Sequence, residues 1–217
     1  MPKDTFFNLA SDKREAITNV LLEEFAHNEY KLASVSAIVK KAGIAKGSFY
    51  QYFEDKADAF LYLFQLAMQE KMEFMNSIPA DNVQGDLFAN LRWMMEAGTS
   101  FEFSNPNYAQ IGYRAVFEDI PLPAETKALI EEGSRGYFKE QLIQGISSGE
   151  IDPNLDADLG AFILESTFNN IGKHLMGHFS FSPTDLLEQG AAAFASAEMQ
   201  SALDQTINIL EHGFKAK

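Results

Sequence analysis

Between Ser34 and Phe53 the chain reads SVSAIVKKAGIAKGSFYQYF, and the spacing of its apolar residues admits few folds. Val35, Ile38, Val39 and Ala42 recur at helical intervals, Gly43 interrupts them, and Ile44, Phe49 and Phe53 resume the pattern. Each run is too short to hold a helix in water unaided, so both must bury their apolar side in a shared core. Two short helices joined by a glycine-containing turn form a helix-turn-helix. A stripe of Ile17, Val20, Leu21 and Phe25 precedes the unit, and one of Phe60, Leu63, Phe64, Ala67, Met68 and Met75 follows it.

With Phe49 and Phe53 turned inward at i, i+4, the rest of the second short helix faces outward: Lys46, Gly47, Ser48, Tyr50, Gln51 and Tyr52. Ammonium, hydroxyl and amide donors find acceptors on phosphates and base edges. Packing against a neighbouring helix is the competing reading for the two tyrosines, and plain solvation for Lys40 and Lys41. The chain carries a net charge of −14, which argues against nucleic acid. That charge is unevenly placed. Residues 1–56 hold 8 basic and 8 acidic side chains, leaving 9 basic and 23 acidic ones for residues 57–217. Residues 31–56 are locally basic, with five lysines against Glu54 and Asp55.

The segment resembles the amino-terminal domain of the tetracycline-repressor (TetR/AcrR) family of bacterial regulators. The likeness covers about residues 11–64: Phe25, Ala26 and Tyr30 at the end of one helix, then SVxxIVxxAGIxKGSFYxYFxxK from Ser34 to Lys56. It implies that Lys46 and Gly47 open a recognition helix, Gly47 letting the backbone approach DNA and Lys46 reaching base or phosphate. It implies that Ser48 and Gln51 read base edges, a role in which a Gln amide pairs bidentately with adenine. Tyr50 and Tyr52 would touch phosphate or a thymine methyl, and Ser34, Ser36 and Lys56 would clamp the backbone. The chain departs from the family at Glu29, where glycine is usual, and at Ala33, where threonine is common. Asn28 is therefore expected to supply a left-handed residue at the helix end.

Helical spacing continues throughout, so the fold class is all-α, and the resemblance implies an N-terminal three-helix DNA-binding domain and a larger helical ligand-binding and dimerisation domain. The expected division is 1–56 and 57–217, linked by a helix over about 55–77. Helices are expected over 11–28, 35–41, 45–52, 86–103, 107–119, 124–147, 156–179 and 184–214, with Pro and Gly clusters between them. In the large domain, Trp93 with Met94, Tyr113 and Phe117 with Arg114, and Phe168 with Asn169 are candidate ligand contacts, although aromatics at helical spacing more often form core. Arg114 has a simpler use, an ion pair with Glu118 at i+4. The domain's acidity favours a neutral or cationic lipophilic ligand over an anion.

The expected function is a sequence-specific regulator, a repressor released from a palindromic operator by a small molecule. DNA reading by such a unit uses two copies, so a homodimer is expected, built by the last two helices through Ala191–Ala193, Ala195, Ala197, Leu203, Ile207 and Leu210. The alternative is a helical dimer that binds a small molecule without DNA. An enzyme is not expected. Glu24-x-x-His27 is half of a di-iron motif with no second half, and His174 with His178 lack a carboxylate partner, so neither metal nor cofactor is expected. With no cysteine, no signal-peptide core and no membrane-length apolar stretch, a soluble cytoplasmic protein is expected.

Overall fold

A computed structural model describes residues 2–79 and 86–216, and eleven helices occupy them. They are α1 (Asp4–Phe7), α2 (Ser11–His27), α3 (Val35–Lys41), α4 (Lys46–Tyr52), α5 (Lys56–Ser77), α6 (Leu87–Ser104), α7 (Pro106–Phe117), α8 (Ala124–Ser148), α9 (Ala157–His178), α10 (Pro183–Phe194) and α11 (Ala197–Phe214). The only extended pairing among the described residues is an isolated bridge between Ile151 and Lys215. No described helix is long and apolar enough to cross a membrane.

The chain forms two compact units. The first contains the chain up to Met72 together with Asn107–Lys127; the second contains Glu73–Pro106 and the residues from Ala128 onward. In the first unit, Ile17, Leu21 and Phe25 of α2 and Phe60 and Leu63 of α5 are buried with Ile38, Phe49 and Phe53. Phe25 meets Phe60 edge-on at 5.5 Å, and Phe49 lies 5.3 Å from Phe53. Val35, Ala42 and Ile44 are half-buried, and Met68, expected in the α5 stripe, is exposed.

Local chemistry explains the ends of these helices. Ser34 caps α3 by accepting from the Ala37 N–H. At its other end, Ile44 N–H donates to Val39 O and Gly43 N–H to Lys40 O, with Gly43 at φ +64°. This is a Schellman turn, and the left-handed residue it requires is the one Gly43 provides. Before α5, Asp55 accepts from Asp58 N–H while Asp58 accepts from Glu54 N–H. Asn28 does not take the left-handed conformation; it is extended, with φ −121° and ψ 140°.

The second unit is built on Leu87, Leu91, Met95 and Phe103 of α6, Phe138 and Leu142 of α8, Leu164 and Leu175 of α9, and Met199 and Leu203 of α11. Leu203, Ile207 and Leu210, read from sequence as a dimer stripe, are buried in this unit's own core. The helix expected over 184–214 is two helices, divided at Ala195-Ser196. Ser196 begins α11 by accepting from Met199 N–H, and Gln200 donates to Phe194 O across the break.

Candidate nucleic-acid interface

A seven-residue helix is marginal alone, so whatever presents α4 must hold it from below and behind. Phe49 and Phe53 are fully buried beneath it. Its last carbonyls, which no further turn can satisfy, are taken by the chain's N-terminal segment. Lys3 donates through its backbone N–H to Tyr52 O at 2.8 Å and through Nζ to Tyr50 O at 3.0 Å, while Thr5 Oγ1 donates to Gln51 O. Phe6 anchors that segment, with its ring 4.9 Å from Phe53 and 5.3 Å from Tyr62. Lys3, Thr5 and Phe6 escaped the sequence reading; the apolar pair Phe6-Phe7 just ahead of α2 was the available signal.

The outer face of α4 presents Lys46, Gly47, Tyr50 and Gln51 to solvent, with Ser48 half-buried beside them. Lys46 has no ion pair among the described residues. A Cβ placed on Gly47 would meet nothing within 4 Å, so the protein's own packing does not demand glycine there. Tyr50, 44% exposed, stands edge-on to Phe49 with its ring 5.3 Å away. Ser36 is exposed in the first turn of α3.

Two expected DNA contacts sit elsewhere. Tyr52 is buried, its ring 5.9 Å from Phe6, so its apolar body is used for packing. Lys56 points into the protein: its Nζ donates to Tyr30 O at 2.6 Å and Ala33 O at 3.0 Å and lies 4.4 Å from the centre of the Tyr30 ring. Burial pushes its pKa down. An ammonium with two carbonyl acceptors stitches the loop before α3 to the start of α5, a role decided by acceptors 23 and 26 residues away. Ser34 is likewise occupied: its N–H donates to Glu24 and its hydroxyl accepts from Ala37. Lys41 pairs with Glu23 and Glu24 at 3.9 Å, while Lys40 stays exposed.

The candidate ligand contacts divide between the units. Tyr113, Arg114 and Phe117 belong to the first, on α7; Trp93, Met94, Phe168 and Asn169 belong to the second. Arg114 is buried and pairs with Glu118. Met94 and Phe168 pack against the second unit's core, Phe168 at 4.9 Å from Phe138. Asn169 is half-buried. Trp93 differs: its Nε1 is buried and has no hydrogen-bond partner, a donor left unsatisfied. Glu24 and His27, the half motif, are spent on local backbone, at Ser34 N–H and Glu23 O. No cluster of three or more metal-ligating side chains occurs among the described residues.

Comparison with known proteins agrees with this geometry. Residues 17–63 match the family described as bacterial regulatory proteins, tetR family, and residues 85–215 match the tetracyclin repressor-like C-terminal domain. A crystal structure of a TetR family transcriptional regulator from Chloroflexus aurantiacus J-10-FL is 46% identical, covers all of both chains and superposes with a TM-score of 0.90. The fatty acid metabolism regulator protein of Bacillus subtilis (strain 168) is 27% identical over 156 residues, 70% of this chain and 78% of that protein. The structure of the regulator FadR from Bacillus subtilis in complex with stearoyl-CoA has a TM-score of 0.60 at 22% identity, over 87% of this chain and 96% of that one.

Proposed function

The chain belongs to the tetracycline-repressor family of bacterial transcriptional regulators, and on that premise we propose a cytoplasmic homodimeric repressor, without enzymatic activity, released from a palindromic operator by a long-chain lipophile. The observation that carries the DNA reading is the outer face of α4. Lys46, Gly47, Tyr50 and Gln51 are exposed there on a short helix gripped from below and at its end. Lys46 and Gly47 meet the backbone or a base, Ser48 and Gln51 supply the base-edge contacts, and Ser36 contacts a phosphate. Two copies present two such helices, as operator palindromes require. Leu159 and Phe162 of α9 and Ile209 of α11 are each more than half exposed and are the proposed dimer contacts.

The ligand's class rests on two supports. Two of the relatives' names concern fatty acids or an acyl-CoA, and the charge of residues 57–217 disfavours anions, so the lipophilic chain is the recognised part. Trp93 Nε1 is the donor available to a carbonyl on it. A tenfold loss of operator affinity requires the ligand to prefer the released state by about 1.4 kcal/mol.

The test is selection of duplexes from random DNA, then titration of the selected operator with stearoyl-CoA and with an uncharged monoacylglycerol in separate arms. Selection of a palindrome and its release by either lipophile support the proposal. Absence of any selected duplex removes the DNA reading; retention of the operator in both arms removes the ligand class. On the selected operator, Lys46→Ala is expected to weaken binding and to reduce the slope of log affinity against log salt by about 1. An unchanged slope would place the Lys46 ammonium away from phosphate.

A further inference from the structure

Helix α2 ends at His27 although no glycine or proline follows it before Ser34. If the helix ran on, Tyr30 N–H would donate to Ala26 O, the i to i+4 bond of the next turn. Both groups are instead held by one ion pair, between Arg114 of α7 and Glu118 just after its end. Arg114 donates to Ala26 O at 3.1 Å, and Glu118 accepts from Tyr30 N–H at 2.7 Å. Arg114 also donates to Glu118, closing a bridge between a carbonyl and an amide that would otherwise bond each other. All four residues lie in the first unit.

We propose that Arg114 and Glu118 form a helix-terminating clasp that holds the 28–34 loop, and through it α3 and α4, in the DNA-binding arrangement. The proposal rests on the DNA-binding function above. Opening the clasp lets Tyr30 N–H pair with Ala26 O, and α2 gains a turn through Asn28 and Glu29. That turn draws the Tyr30 ring from Phe25, on which it stacks at 6.1 Å, and its carbonyl from Lys56. The loop leading into α3 then loses its tie to the start of α5. Two alternative partners for the same two backbone groups make a bistable element, the kind of device a small bias can tip.

Two observations favour a switch over a rivet. Arg114 Nε is buried without a partner, so the guanidinium's desolvation is incompletely offset and the clasp is not held at any cost. Glu29 stands at the centre of the turn that would form, and glutamate is a good helix former. Tyr113 and Phe117 flank the clasp on α7, so a ligand resting on that helix would act on it directly.

The experiment compares the full-length protein with Arg114→Met and Glu118→Ala. Backbone 13C shifts and amide exchange of 28–30 are read by NMR, and affinity is measured for the selected operator. The expected result is helical shifts at Asn28–Tyr30 in both variants and at least a tenfold loss of operator affinity, with the melting temperature lowered more in Glu118→Ala, which leaves the buried Arg114 guanidinium unpaired. Adding Glu29→Gly to Arg114→Met, which disfavours the extra turn, is expected to restore affinity. Unchanged shifts at 28–30, wild-type affinity, or no rescue by glycine overturns the clasp. If Arg114→Met does not fold, Glu118→Ala, altered at a half-exposed position, decides by the same readouts. The shifts need no DNA, so failure of the clasp is distinguishable from failure of the wild-type protein to select an operator.

Discussion

Replacing Phe6 by alanine is expected to cost the first unit about 3–5 kcal/mol and to abolish operator binding at 37 °C, although Phe6 lies outside the helix-turn-helix. The ring is fully buried and touches Tyr52, Phe53 and Tyr62 at once. Its loss leaves a cavity beneath α4 and frees the segment whose Lys3 and Thr5 close the carbonyls of Tyr50, Gln51 and Tyr52. Phe7 next to it is 46% exposed, so Phe7→Ala is expected within about 0.5 kcal/mol of wild type. Urea denaturation of both variants checks this pair. Equal midpoints for Phe6→Ala and Phe7→Ala would mean that α1 does not support the reading helix.

Gly190→Ala is expected to have a comparable effect in the second unit, at or above about 3 kcal/mol. A Cβ at residue 190 would fall 1.9 Å from the carbonyl oxygen of Phe103, a backbone atom that no rotamer change can move. The approach of α10 to α6 depends on that missing methyl, and Phe181 and Phe194 close around Phe103 with rings 5.8 and 6.2 Å away. Gly136, inside α8, is the control. A Cβ there meets nothing within 4 Å, so Gly136→Ala is expected to stabilise by up to about 1 kcal/mol. Melting temperatures that move in opposite directions for the two alanines bear out the close contact. A neutral Gly190→Ala would show that the two helices are free to separate.

The helix-turn-helix was legible because its determinants are local. Ser34 as cap, Gly43 as the left-handed turn residue and Phe49 with Phe53 as the inward pair all act within a few residues of themselves. Most of the other helix boundaries were read closely for the same reason, at Asp55, Asp86 and Asp156. The break at Ser196 was missed because Ala195 and Ala197 continue a helical composition across it. Only the Ser196 hydroxyl reaching Met199 N–H, and Phe194 O turning to Gln200, mark the new start.

Long polar side chains were the least legible. Lys56 has the residue type of a phosphate clamp, yet two carbonyls of the loop before α3 hold its ammonium. Tyr52 has a hydroxyl suited to phosphate, yet Phe6, 46 residues earlier, covers its ring. Arg114 was readable as the partner of Glu118 at i+4, and the structure contains that pair. Its second acceptor, Ala26 O, lies 88 residues away.

By itself the sequence determined the all-helical class, the short paired helices and the exposed polar strip from Lys46 to Gln51. Periodicity, caps and turn residues carry that information within one or two helical turns. Tertiary structure alone decided which donors of that region remain free for DNA. A lysine or arginine bonds whatever acceptor folding brings within about 3 Å, and for Lys3, Lys56 and Arg114 those acceptors are backbone carbonyls remote in the chain.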